Sequence, residues 1–255
     1  MKEYQPFIQA CRWLLSEYPG AYKAQEYLDS RVNRESQEKF QIGFHPTNKE
    51  YECLLSILGE DLLLRAKLRY ERLITDGAYQ KIKTNTFEHH SIVLPYRDVY
   101  GNIAAIVGRT LFSAAQQSEL QISKYKNTSF EKKNHVFGLY EGKHEALRRN
   151  HIFVVEGQFD VITAHQYGIE NVVALGSSNL TASQLALMLR YTDTVYLLLD
   201  NDEAGIIGME RALRKFGKTS KISAKVIPAG YKDLDDLLRA VPNMRHHDLQ
   251  NLSSL

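Results

Sequence analysis

The chain has 255 residues, 44% of them hydrophobic and 24% charged, which is the balance of an ordinary globular protein and excludes a disordered or fibrous one. Only Cys11 and Cys53 are present, so a four-cysteine zinc site and a secreted disulfide framework are excluded; no run approaches the ~20 apolar residues of a membrane span, and a cytoplasmic protein is expected. Net charge is +2, too small for a polycation, yet bases outnumber acids over residues 1–150 and acids outnumber bases over 151–255.

Apolar residues three or four apart predict helices over 4–17, 21–31, 48–58 and 60–69. A β-rich stretch follows, in which Ser91–Pro95 and Asn102–Gly108 flank the turn signal Tyr100-Gly101 and predict a hairpin. Over 121–149, Lys124, Lys126, Lys132, Lys133, Lys143, Arg148 and Arg149 stand against Glu131, Glu141 and Glu145. This stretch reads either as a path for a phosphate backbone or as a solvated basic face.

From residue 151 short apolar strands alternate with amphipathic helices, the pattern of a parallel sheet. Strands are predicted at His151–Glu156, Asn171–Leu175, Thr194–Leu199 and Lys221–Ile227, and helices at Phe159–Tyr167, Ala182–Tyr191 and Glu203–Phe216. The first three strands are near-continuous apolar runs, as burial on both faces requires. Gly168 and Gly217 stand where helix C-caps are expected. An α/β chain results, with an N-terminal α+β subdomain over 1–148, a parallel-sheet domain over 149–241 and a tail over 242–255. Gly217-Lys218-Thr219 resembles the end of a P-loop, but Ala212 replaces the required glycine. His246-His247 has no spaced metal-binding partner and reads as an exposed tail.

Four acids fall at the carboxyl ends of predicted strands, where open α/β sheets place their ligands. Glu156 ends the first strand and precedes Gly157, expected to let the backbone turn under a ligand. Asp200 ends the third, with Asp202 two residues on, and Asp233 follows the fourth ahead of Asp235 and Asp236. Asp160 opens the first helix and, taken alone, reads equally as an N-cap. Carboxylates converging on one edge repel unless a cation joins them, and an oxygen-only set points to Mg²⁺ or Mn²⁺ rather than zinc.

Val154-Val155-Glu156-Gly157-Gln158-Phe159-Asp160 resembles the glutamate motif of TOPRIM domains, and Leu199-Asp200-Asn201-Asp202-Glu203-Ala204-Gly205 resembles their paired-aspartate motif. Upstream, Ala24–Leu28 through Arg31, Phe40–Phe44, Leu94–Asp98 with Gly101-Asn102 and Gly108-Arg109, Lys124–Thr128, and Phe137–Tyr140 resemble the polymerase core of DnaG-type primases. The resemblance covers almost the whole chain. Phe87-Glu88-His89-His90 departs from it, standing where that family usually carries arginines, and Gln158 and Glu203 stand where it often has an aromatic and a basic residue. The sequence carries neither the family's zinc-ribbon module nor its helicase-binding module, so either a stand-alone core or a fragment is expected.

The resemblance implies a DNA-dependent RNA polymerase that makes short primers, with Glu156, Asp200 and Asp202 catalytic and the same three plus Asp233 and Asp160 around the metal. Arg109, Lys124, Tyr125 and Asn127 would hold template or nucleotide, although Tyr125 reads equally as packing. Expected partners are single-stranded DNA and ribonucleoside triphosphates, with a replicative helicase as a further candidate and no membrane. Two other readings stay open: a TOPRIM metal-dependent nuclease and a non-catalytic nucleic-acid-binding replication protein.

Overall fold

A computed structural model describes residues 4–46, 51–59, 61–74, 86–218 and 221–255. The chain divides into two compact units: residues 1–96 with 102–130, and residues 97–101 with 131–255.

The first unit opens with helices α1 (Gln5–Glu17), α2 (Tyr22–Asp29) and α3 (Arg34–Lys39), followed by strand β1 (Gly43–Phe44), α4 (Tyr51–Leu58) and α5 (Leu62–Tyr70). Residues 48–50 and Glu60 of the two predicted later helices lie outside the described residues. The hairpin forms as β2 (Ile92–Arg97) and β3 (Ile103–Arg109), and α6 (Ala114–Glu119) and β4 (Tyr125–Asn127) complete the unit. Its sheet runs β1-β2-β3-β4, antiparallel where β1 meets β2 and β3 meets β4. Helix α1 buries Phe7, Ile8, Cys11 and Leu14, the three-four spacing that predicted it.

Phe87 and His90, in the segment where arginines were expected, belong to this unit's core. A Cβ on Gly108 would lie 2.5 Å from the Phe87 ring, and His90 Nε2 lies 2.9 Å from the Ser123 carbonyl. At Phe87 and His90 the local chemistry is packing.

The second unit comprises α7 (Leu139–Arg149), β5 (His151–Val155), α8 (Gln158–Gln166), β6 (Val172–Ala174), α9 (Ala182–Met188), β7 (Thr194–Leu197), α10 (Glu203–Phe216), β8 (Lys221–Ala224), α11 (Leu234–Ala240) and α12 (His246–Gln250). Its four strands pair in parallel in the order β6-β5-β7-β8. Strands β5 and β6 are buried throughout, as their apolar runs require. Strand β7 differs: Thr194 and Tyr196 are half-buried, because the Tyr196 ring is covered by Phe153 at 5.4 Å and by the Lys225 ammonium. Gly168 adopts the left-handed C-cap conformation at φ +76°, whereas Gly217 caps α10 in a right-handed one; Thr219 of the P-loop-like triplet is outside the described residues.

Residues 242–255 are not a loose tail. Leu249 is fully buried, Val226 donates to Ser253 at 2.9 Å, and Lys225 and Ser254 form an antiparallel bridge. His246, expected exposed, is half-buried and stacks on His151 at 6.3 Å. No helix among the described residues is long and apolar enough to cross a membrane.

Candidate active site

Strand order builds the site. The chain runs from β5 outward to β6 and then returns to the other side of β5 as β7, leaving a crevice at the carboxyl ends of β5 and β7. Val154 pairs with Leu197, so Glu156 after β5 and Asp200 after β7 come out side by side. Glu156 is half-buried, and one of its oxygens, Oε1, is buried with no hydrogen-bond partner. Burial, then the charges of Asp200 and Asp202, push its carboxyl up to about 7; the Asp200 backbone N–H and the Lys232 ammonium oppose that shift.

Asp160 sits on the buried face of α8, only 6% exposed, and burial with the charge of Asp233 raises its carboxyl to about 8. Its Oδ1 accepts from the Asp235 backbone N–H at 2.9 Å, while Asp235 accepts from the Thr163 hydroxyl at 2.5 Å, so α8 and α11 are joined by one polar chain. Asp202 caps α10, accepting from the Gly205 N–H, and Asp233 caps α11, accepting from the Asp236 N–H, each at 2.9 Å. Two helix N-termini are thereby set by the acids that stand at the sheet edge.

Gly157 is extended, at φ −98° and ψ 149°, so the tight turn expected there does not occur. The position instead requires space: a Cβ on it would lie 2.3 Å from Asp160 Oδ2.

The structure thus brings Glu156, Asp200 and Asp202 into mutual electrostatic range, with Asp160 coupled to Asp200 and Asp233. Among the described residues no group of three or more His, Cys, Asp or Glu side chains stands ready-made around an ion. The donor chemistry nonetheless fits a hard divalent cation: oxygen donors only, an unpartnered buried carboxylate oxygen, and two carboxyls, Glu156 and Asp160, pushed upward first by burial and then by neighbouring negative charge. A cation at that edge would relieve each of these features.

Three further residues at this edge escape sequence reasoning. The Lys132 ammonium reaches the Gly176 carbonyl two residues beyond β6, and burial lowers its pKa. Lys232 is the cation that offsets the charge on Glu156. Asn201 ties the Asp200 loop to the loop after β8, its N–H 2.7 Å from the Lys232 carbonyl and its side-chain amide 3.2 Å from that of Tyr231. Lys132 belongs to the basic run and Lys232 adjoins Asp233, which were the only signals.

The rest of the basic run is not a continuous cationic face. Arg148 and Arg149 both pair with Glu145, and Lys143 donates to the Val99 carbonyl at 2.8 Å. In the first unit, Arg109 is 6% exposed; its guanidinium donates to the hydroxyls of Tyr125, at 2.6 Å, and Tyr27, and lies over both rings. Arg31 also donates to the Tyr27 hydroxyl. Lys124 is exposed with its ammonium 5.7 Å from the Tyr125 ring centre, and Asn127 Oδ1 is buried without a hydrogen-bond partner.

A family model described as the N-terminal domain of the DNA primase catalytic core matches residues 13–143, just over half of the chain, and one described as Toprim-like matches residues 153–238. The DNA primase of Aquifex aeolicus is 30% identical over 242 residues, covering 93% of this chain and 46% of the relative. That of Rickettsia conorii is 29% identical over 215 residues, covering 82% and 35%. Among solved structures, the zinc-binding and RNA polymerase domains of the Aquifex aeolicus primase align with a TM-score of 0.77 at 28% identity, covering all of this chain and 62% of that one. A DnaG primase catalytic domain bound to single-stranded DNA aligns with a TM-score of 0.75 at 25% identity, covering 99% and 80%. The chain spans less than half the length of these curated relatives.

Proposed function

The chain belongs to the DnaG-type primase family, and from that membership we propose that it is a nucleotidyltransferase of the cytoplasm, synthesising short RNA primers on single-stranded DNA. The observation that carries the reading is the coupled acid set at the β5–β7 crevice, with the Glu156 oxygen that no protein donor satisfies.

Mg²⁺ or Mn²⁺, held by Glu156, Asp200 and Asp202 with Asp233 and Asp160 behind them, would stabilise charge developing on the transferring phosphate and the leaving pyrophosphate. The chain's own groups do the rest. Glu156 titrates near neutrality, so it can take the proton of the attacking 3′-hydroxyl or carry charge toward the cation. Asp160 keeps α8 and α11 in register through the Asp235 N–H, fixing where Asp233 stands. Lys232 places positive charge beside Glu156, and Lys132 stands at the loop after β6; both would attract a triphosphate.

In the first unit Arg109, Lys124, Tyr125 and Asn127 would hold template or nucleotide. Tyr125 and Tyr27 fix the Arg109 guanidinium, and Asn127 Oδ1 offers an acceptor to a base amine or a sugar hydroxyl. The support for a template role is charge and aromatic surface, which need no sequence readout.

The test is incubation of the protein with single-stranded template, Mg²⁺ and ribonucleotides. Template-dependent RNA of a few nucleotides is expected, lost on omission of the metal. Degradation of the template without RNA synthesis would overturn the reading in favour of a nuclease.

A further inference from the structure

The first unit holds a second concavity that the reading above does not use. It is a cleft of about 310 Å³ between α1, α2 and α3, walled by Arg12, Trp13, Gln25, Arg34, Gln37 and Glu38. That volume is at the lower end of the range for small-molecule sites and suits a ligand of about one nucleotide.

Its chemistry is specific. Trp13, the only tryptophan of the chain, is 51% exposed and lines the cleft, so much of its indole is open to a ligand there. Indoles are seldom left in water without a partner for their faces. Inside, the Gln37 amide is taken up by Asp29, at 3.0 Å, and by the Val32 carbonyl, at 2.8 Å. The Gln25 amide donates to Asp29 at 2.8 Å and to Gln37 Oε1 at 3.3 Å, whereas Gln25 Oε1 is buried and accepts nothing. A buried acceptor left empty is unfavourable, and a ligand N–H would fill it. Arg34 is mostly exposed, paired with Asp29 at 2.8 Å, and Arg12 is only loosely paired with Glu38 at 3.8 Å. The walls therefore offer a stacking surface, a hydrogen-bond acceptor and two guanidinium groups.

We propose that this cleft binds one base-plus-phosphate unit, the base stacked on Trp13 with an N–H on Gln25 Oε1 and the phosphate facing Arg12 and Arg34. A base stacks on an aromatic side chain whatever its sequence, and Arg matches phosphate with a planar fork. The unit comes either from a free nucleotide or from a nucleic-acid strand; the chemistry of recognition is common to both. The proposal does not depend on primer synthesis, since the cleft lies wholly in the first unit and the acid set in the second.

A single tryptophan makes the test direct. Its fluorescence should be quenched saturably by AMP, by a short oligo(dA), or by both, read in the metal-free protein so that the acid set does not contribute. Saturation by AMP identifies a free nucleotide as sufficient, and saturation by the oligonucleotide alone identifies a strand. Arg34→Glu, an exposed change whose folding is checked by circular dichroism, should weaken the effective ligand about tenfold or more, the scale of one charge-assisted contact. Gln25→Leu, which removes the acceptor, should weaken it as well. Absence of saturable quenching with either probe, or quenching undiminished in Arg34→Glu, would overturn the proposal.

Discussion

Glu156 and Asp160 release their protons near 7 and 8, well above the ordinary range of 4.5 and 3.8 for their kinds. From about pH 4 to pH 8 these two groups hold more protons in the folded chain than in the unfolded one, so by linkage their own contribution to metal-free stability falls as pH rises. What these groups contribute is complete at the acid end and lost as pH passes through 7 to 8. Buried His45, whose pKa is lowered to about 4, acts in the opposite sense below about pH 6.5, so the site is read above it: between pH 6.5 and 8 the melting temperature of the metal-free protein should decline, and Asp160→Asn, which keeps the site neutral, should flatten the decline. An unchanged slope in that variant would contradict the assignment. Mg²⁺ binds the ionised carboxylates, so the rise in melting temperature that it produces should grow from pH 6 to pH 8. Asp202 and Asp233 have a second duty as helix caps. Asp202→Asn keeps a capping side chain and loses the charge, so primer synthesis should drop by at least about 10²-fold, with little change in melting. Asp202→Ala should add a loss of about 1 kcal/mol from the cap. The acids were legible because strand ends are legible; Lys132 and Lys232 were not, since a lysine's partner depends on where its loop lies in space.

Among the elements, α10 was readable from its apolar period and α3 and β4, held by polar contacts, were not; α11 was also missed although it buries Leu234, Leu237 and Leu238, because seven residues are too few to show a period. Helix α10 was predicted at both ends, Glu203 and Phe216, because Asp202 caps it and its buried Gly208, Met209, Ala212 and Phe216 recur at helical spacing. Helix α3, Arg34-Glu35-Ser36-Gln37-Glu38-Lys39, carries no apolar stripe; it forms because Asn33 caps it and Gln37 is buried on hydrogen bonds. Strand β4 is similarly polar and exists through pairing with Val107–Arg109. Gly205 shows how closely the paired-aspartate loop and α10 are fitted, as a Cβ there would lie 2.1 Å from the Asp200 carbonyl oxygen. The contact is with backbone, so Gly205→Ala must move either the helix or the aspartate loop. It should cost about 1–3 kcal/mol in urea unfolding and lower synthesis more than stability alone explains. Wild-type stability in that variant would contradict the close approach.

At the scale of the molecule, a chain of net charge +2 can hold a polyanion only through local basic groups. Single-stranded DNA affinity should fall as salt rises, with a log–log slope of roughly −0.7 for each phosphate neutralised. Lys124→Ala should make that slope shallower by about one such contact, and a salt-independent affinity would remove Arg109 and Lys124 from template binding. Catalysis by the β5–β7 acid set is the central claim, and one measurement bears on it most directly: RNA synthesis on a single-stranded template with Mg²⁺ and ribonucleotides, by wild type and Asp202→Asn side by side. The expected result is short, template-dependent RNA from the wild type and at least about 10²-fold less from a variant that still melts normally. Equal synthesis by both, or synthesis by neither with the template cut, would contradict it.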